Sequence, residues 1–155
     1  MTAHPPSSNS LKILAVDDDD GSKIALSMVL KFLGHNAVLA KDTEEALKLV
    51  ENAPTPFDLI ITDHVMPGLT GLDLVQRLRK KDFVGEIIVL SGYGGKNVEQ
   101  GYKQLEVAGF MKKPFNLADL RQWMDCIQGC RKRLSKAQGL ACPLKGIDFC
   151  WLKRD

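Results

Sequence analysis

The chain predicts an α/β fold of five βα units around a parallel sheet, and three observations point to it. Short apolar runs alternate five times with stretches of helical periodicity. The first, third and fourth runs are continuously apolar, as strands covered on both faces must be. Chemically active side chains stand at the ends of four runs, where open parallel sheets form their ligand sites.

The elements follow in order. Residues 1–10 are polar and rich in Pro and Ser, lack the apolar core of a signal peptide, and are expected to be a disordered leader. The first run is Ile13 to Val16. After it Ile24, Met28, Val29, Phe32 and Leu33 recur at helical spacing, with Gly34 as the stop. The second run, Ala37 to Ala40, is weaker and suits an edge strand. Its helix opens at Asp42 with Glu45 three places on, a variant capping box, and ends before Pro54. Leu59 to Thr62 form the third run, followed by a helix carrying Leu72, Leu74, Val75 and Leu78. The fourth run, Ile87 to Leu90, precedes the poorest helical pattern, within Gly95 to Val107 and interrupted by Gly101. Gly109 to Met111 form a fifth, edge-like run. Its helix turns Leu117, Leu120, Met124 and Ile127 inward.

One domain is expected over residues 11–129, leaving 130–155 as a tail of unassigned role. The segment Leu140 to Asp155, with Phe149, Trp151 and Leu152, is more apolar than a linker and suits docking on the domain or a partner.

The composition is 45% hydrophobic and 26% charged, which excludes disordered and fibrous classes. A net charge of +2 is too small to argue for a nucleic-acid surface, and the one dense basic cluster is Arg131 to Arg133. No run reaches membrane-spanning length, so a cytoplasmic protein without a membrane partner is expected. Cys126, Cys130, Cys142 and Cys150 all fall in the last thirty residues, without the paired spacing of structural zinc, and reduced thiols are expected. His4 and His35 are expected on the surface, and His64 beside a solvated loop.

Asp17 and Asp18 follow the first run, Asp63 the third, Ser91 the fourth, and Lys113 the fifth. In a flavodoxin-like doubly wound sheet of strand order 2-1-3-4-5, the first and third strands are neighbours and these groups converge on one edge. Crowded carboxylates repel, and a divalent cation or a lysine relieves them. Oxygen ligands favour Mg2+, which keeps waters and accepts phosphate oxygens. A carboxylate in that setting can be phosphorylated, with Lys113 as fixed cation and Ser91 as donor to the phosphoryl group. Asp19 and Asp20 read as a solvated turn or helix cap.

At the segments Ile13-Leu-Ala-Val-Asp-Asp18, Asp58-Leu-Ile-Ile-Thr-Asp63-His-Val-Met-Pro67 with Gly71, Val89-Leu-Ser91-Gly92 and Lys113-Pro114-Phe115, the chain resembles the bacterial response-regulator receiver family, over roughly residues 11 to 128. The resemblance implies a two-component phosphorelay module, itself no enzyme. In it Asp63 is the phosphoacceptor, Ser91 the switch hydroxyl, Lys113 the phosphoryl-binding lysine and Phe110 the aromatic switch. Asp18 and Asp63 would be direct Mg2+ ligands, Asp17 a ligand through water, and the Val65 carbonyl the third protein ligand. It further implies a cis Lys113-Pro114 bond, a sensor histidine kinase or histidine phosphotransfer protein as donor, and an output face on the fourth helix, fifth strand and fifth helix. Val65 and Tyr93, two beyond the acceptor and the switch hydroxyl, imply slow loss of the phosphoryl group.

Three rival readings fare worse. An aspartate-nucleophile phosphatase or phosphotransferase needs a second acid at position 65, which is Val. An FMN-binding electron carrier needs phosphate donors where four consecutive acids stand. A receiver that no longer takes phosphate would lack one of the key residues, and none is missing.

Overall fold

The computed structural model describes residues 10–92 and 96–134. Residues 1–9 of the leader with His4, Tyr93, and residues 135–155 of the tail with Cys142 and Cys150 lie outside the described residues. Five strands, β1 (Lys12–Val16), β2 (Asn36–Ala40), β3 (Leu59–Asp63), β4 (Glu86–Ser91) and β5 (Gly109–Lys112), pair in parallel in the order β2-β1-β3-β4-β5. This is the flavodoxin-like order expected, with the two weakly apolar strands at the edges. The helices α1 (Asp20–Phe32), α2 (Thr43–Asn52), α3 (Gly71–Lys80), α4 (Lys96–Tyr102) and α5 (Leu117–Leu134) connect and complete them.

Alternation along each strand divides the core into two layers. Ile13, Ala15, Leu59, Ile61, Ile88 and Leu90 meet α1 and α5, while Leu14, Val16, Ile60, Ile87 and Val89 meet α2, α3 and α4. The three inner strands β1, β3 and β4 are therefore covered on both faces, which explains their continuous apolar sequences, while β2 and β5 are only partly buried.

Helix ends are set by local chemistry. Asp19 caps α1 by accepting from the Ser22 amide, and those bonds hold its carboxyl below the usual range. Asp42 caps α2 through the Glu45 amide, while Glu45 reaches back to the Lys41 amide. Thr70 and Asp73 form a full capping box at α3. Arg79, near the end of α3, donates to the carbonyls of Phe83, Gly85, Leu105 and Glu106, tying α3 to the segments that lead into β4 and β5.

Three readings of the sequence are corrected, and a fourth, the interrupted helix, gains its bounds. The core face of α1 is Lys23, Leu26 and Leu30; of the recurring apolar residues only Val29 and Leu33 pack against the core, and Ile24, Met28 and Phe32 are exposed. In α5 the buried residues are Leu120, Trp123, Met124, Cys126 and Ile127, with Leu117 left exposed at the helix start, and the helix runs to Leu134, across the expected boundary at 129. The interrupted fourth pattern is a helix of seven residues continued by a 3₁₀ turn, Lys103–Leu105; Gly101 sits inside it because a Cβ there would lie 3.2 Å from Leu72 of α3. His35 is buried rather than superficial. Its Nδ1 accepts the Leu11 amide at 3.0 Å, so the neutral ring satisfies a donor that precedes β1.

Burial pushes the His35 pKa down against the opposing charge of Asp125. Above the unfolded value His35 is neutral in both states. As pH falls below that value the unfolded chain takes up a proton that the folded chain resists, and stability is lost. Urea midpoints compared at about pH 7.5 and about pH 5.5 should therefore fall more in the wild type than in His35→Gln, which keeps an acceptor and cannot titrate. Equal falls in both proteins would refute this role for His35.

Gly71 opens α3 directly beneath the end of β3. A Cβ on it would lie 2.3 Å from the Asp63 carbonyl oxygen and 3.0 Å from the His64 Cα. Both obstacles are backbone, so Gly71→Ala must displace the β3–α3 loop, at a cost of about 1–3 kcal/mol. Chemical denaturation should show that loss, and a stability unchanged from wild type would contradict the close approach.

Candidate functional site

The carboxyl ends of β1, β3, β4 and β5 meet at one edge, and the register there fixes the spacing of the polar residues. Val16 pairs with Thr62 and Asp63 with Leu90, so Asp17 and Asp63 stand side by side on adjacent strands. The Asp17 amide donates to the Ala40 carbonyl, the His64 amide to the Leu90 carbonyl, and the Lys113 amide to the Ser91 carbonyl. Each loop that carries a candidate residue is thereby anchored to the neighbouring strand.

Lys113 sits at the centre. Its Nζ donates to Asp17 Oδ2 at 2.8 Å and to Asp63 Oδ2 at 2.9 Å. Asp17 and Asp63 are 3% and 8% exposed, so removing the ammonium would leave two largely buried carboxylates without their counter-charge. Burial alone would lower the Lys113 pKa; the hydrogen bonds and charges of Asp17 and Asp63 outweigh it and raise it, keeping the ammonium charged. The Lys113-Pro114 bond is cis, as the resemblance implied.

The remaining carboxylate oxygens are also placed. Asp17 Oδ1 accepts from the Asp19 amide at 2.9 Å, and Asp63 Oδ1 from the Val65 amide at 3.3 Å. Asp18 is exposed at the rim, and one carboxylate oxygen from each of Asp17, Asp18 and Asp63 lies within 4.8 Å of the others. Three carboxylates against one ammonium leave two negative charges uncompensated. An all-oxygen donor set with that charge and one open side fits a hard divalent cation such as Mg2+. Ser91, the last residue of β4, is buried beside the site.

Reading the sequence missed one participant. His64 is half-buried rather than solvated, and its Nδ1 shares a 2.7 Å hydrogen bond with the hydroxyl of Tyr102, which is fully buried in α4. The Tyr102 ring stacks edge-on against both His64 and Phe110 of β5, at centroid distances of 5.6 Å and 5.4 Å. Burial, with the charges of Asp63 and Asp73, pushes the Tyr102 phenol far above its usual range and keeps it neutral. The loop after Asp63 is thus in continuous contact with β5 through one tyrosine. A lone aromatic in the least regular helix pattern offered no spacing signal; its neighbour Gly101, which lets α4 approach α3, was the nearest clue.

Comparison with known proteins supplies the family. Residues 13–125 match the family model of the response regulator receiver domain. The chain is 30% identical over 110 residues to the sporulation initiation phosphotransferase F of Bacillus subtilis, covering 71% of this chain and 87% of that protein. It is 30% identical to a cyclic di-GMP phosphodiesterase of Thermotoga maritima over 72% of this chain, but spans only 29% of that protein's length. Among solved structures, the chemotaxis protein CheY4 of Vibrio cholerae superposes with a TM-score of 0.71 at 30% identity, covering 76% of this chain and 98% of that one. A receiver protein from Pseudomonas putida gives 0.68 at 31% identity, covering 75% and 96%. With the strand order, the carboxylate cluster and the bridging lysine already in place, the chain belongs to the response regulator receiver family of two-component systems.

Proposed function

We propose that this receiver takes a phosphoryl group onto Asp63 from a sensor histidine kinase or histidine phosphotransfer protein, and that phosphorylation changes what binds its surface. The observation that carries the reading is the Lys113 ammonium bridging Asp17 and Asp63 within a cluster of three carboxylates. Asp63 Oδ would attack the phosphorus of a phosphohistidine in line; the O–P bond forms, the N–P bond breaks, and the donor imidazole leaves. Asp18, Asp63 and the Val65 carbonyl would hold Mg2+ directly and Asp17 through water, and the ion would supply charge neutralisation of the transferring group. Lys113 would exchange its Asp63 contact for a phosphoryl oxygen, and Ser91 would donate to another.

Phe110 is the residue through which β5 would register that change, since it already packs on Tyr102 and so on the loop after Asp63. The surface of α4, β5 and α5 is the corresponding output face. The phosphatase reading gains nothing from the fold: Val65 is exposed at the rim and offers no acid for a leaving group. It also offers no hydrogen bond to an attacking water, which favours a persistent acyl phosphate.

The test is intact mass after incubation with a small phosphodonor. One phosphate should be added with Mg2+ present, none without it, and none in Asp63→Asn. Labelling of that variant at the wild-type level would overturn the assignment. A decay course on the same samples should show several-fold faster loss from Val65→Asn, about 1 kcal/mol of barrier; equal rates would remove the argument for persistence.

A further inference from the structure

Helix α1 presents an unusual outer face. Ile24, Met28 and Phe32, spaced i, i+4 and i+8, are 54%, 66% and 72% exposed, with Ala25 exposed beside them and Lys31 the one charged side chain of that face in the last turn. Such spacing lines the three side chains up as one stripe about 12 Å long. The face that meets the core is complete without them, because Leu26, Leu30, Val29 and Leu33 already fill it. A contiguous apolar stripe on an outer helix face marks a contact surface.

We infer that the stripe is the docking site of this chain's own C-terminal segment, residues 147–155. Three observations favour that occupant. First, α1 and α5 cover the same sheet face, and both start at the carboxyl edge of the sheet and run back toward the opposite edge, so Leu134 ends at the side where Phe32 ends. Second, fourteen residues lie between Leu134 and Phe149, a reach of up to about 50 Å, ample to cross between neighbouring helices and lie along α1. Third, the sequence of the segment matches the stripe in order and charge. Ile147, Phe149, Trp151 and Leu152 are apolar with Asp148 at the start of the run, and the adjacent pair Lys153 and Arg154 follows them ahead of Asp155. A segment entering at Phe32 and running toward Ile24 brings those two basic residues to the exposed acids Asp18, Asp19 and Asp20 at the start of α1.

The docked segment would close the apolar stripe and set two cations at the rim of the carboxylate site. Docking of residues 147–155 needs no phosphoryl group, and it would change the charge at the rim that the proposed phosphorylation uses.

Trp151 is the reporter. Trp123, the other tryptophan, is buried, so Trp123→Phe leaves Trp151 as the single tryptophan; if that variant fails the circular dichroism check, the total tryptophan quenching of the wild type serves instead, because buried Trp123 contributes little to any change in it. Trp151 should emit to the blue of its position in a free peptide of residues 135–155, with acrylamide quenching reduced several-fold. Met28→Glu with Phe32→Glu, exposed positions that the core does not need, should restore peptide-like quenching. Lys153→Glu with Arg154→Glu should weaken the protection. Quenching equal to the free peptide in the intact chain overturns the proposal, as does protection that survives loss of Met28 and Phe32. Protection that disappears on dilution assigns the stripe to a second copy of the chain and equally overturns it.

Discussion

The ammonium of Lys113 is the group on which the carboxyl edge of the sheet depends. Asp17 and Asp63 are brought together by the pairing of β1 with β3, and two buried carboxylates side by side repel one another. A cation hydrogen-bonded to both removes that penalty. The lysine reaches them from a loop after β5 that is anchored to the Ser91 carbonyl. Compensation is deliberately partial in chemical terms: with Asp18 at the rim, the cluster keeps an excess of negative charge on its open side. The same arrangement that makes the resting fold tolerable makes the site receptive to a divalent cation, and a phosphoryl group would find its counter-charge already in place.

Around that centre the packing is tight on one side and open on the other. Gly71 lets α3 begin against the backbone of Asp63 and His64, and Gly101 lets α4 approach α3. Tyr102 fills the space so created, bonded to His64 and stacked on Phe110. The loop that follows Asp63 therefore has a rigid floor made of backbone and aromatic rings, while Val65 and Asp18 face solvent.

Much of this was legible in the sequence, for identifiable reasons. Strands covered on both faces read as continuous aliphatic runs, so β1, β3 and β4 were plain, and the order of the sheet followed from the need to gather Asp17, Asp63, Ser91 and Lys113 at one edge. Caps were legible because Asp42 and Glu45 act locally. What could not be read depends on contacts distant in sequence. The face of α1 was ambiguous because both its sides are apolar, and only packing shows that Leu26 and Leu30 point inward. His35 gains its role from Leu11, twenty-four residues away, and Arg79 from carbonyls of Leu105 and Glu106. The pairing of His64 with Tyr102 spans thirty-eight residues and leaves no periodic trace.

If Lys113 and a divalent cation compete for the same carboxylates, calorimetric titration of Mg2+ tests the account most directly. One site per chain is expected, weakened in Asp18→Asn and tightened in Lys113→Met, since removing the resident cation leaves Asp17 and Asp63 without their counter-charge. Affinity in Lys113→Met no greater than in the wild type, or binding indifferent to Asp18, would contradict it.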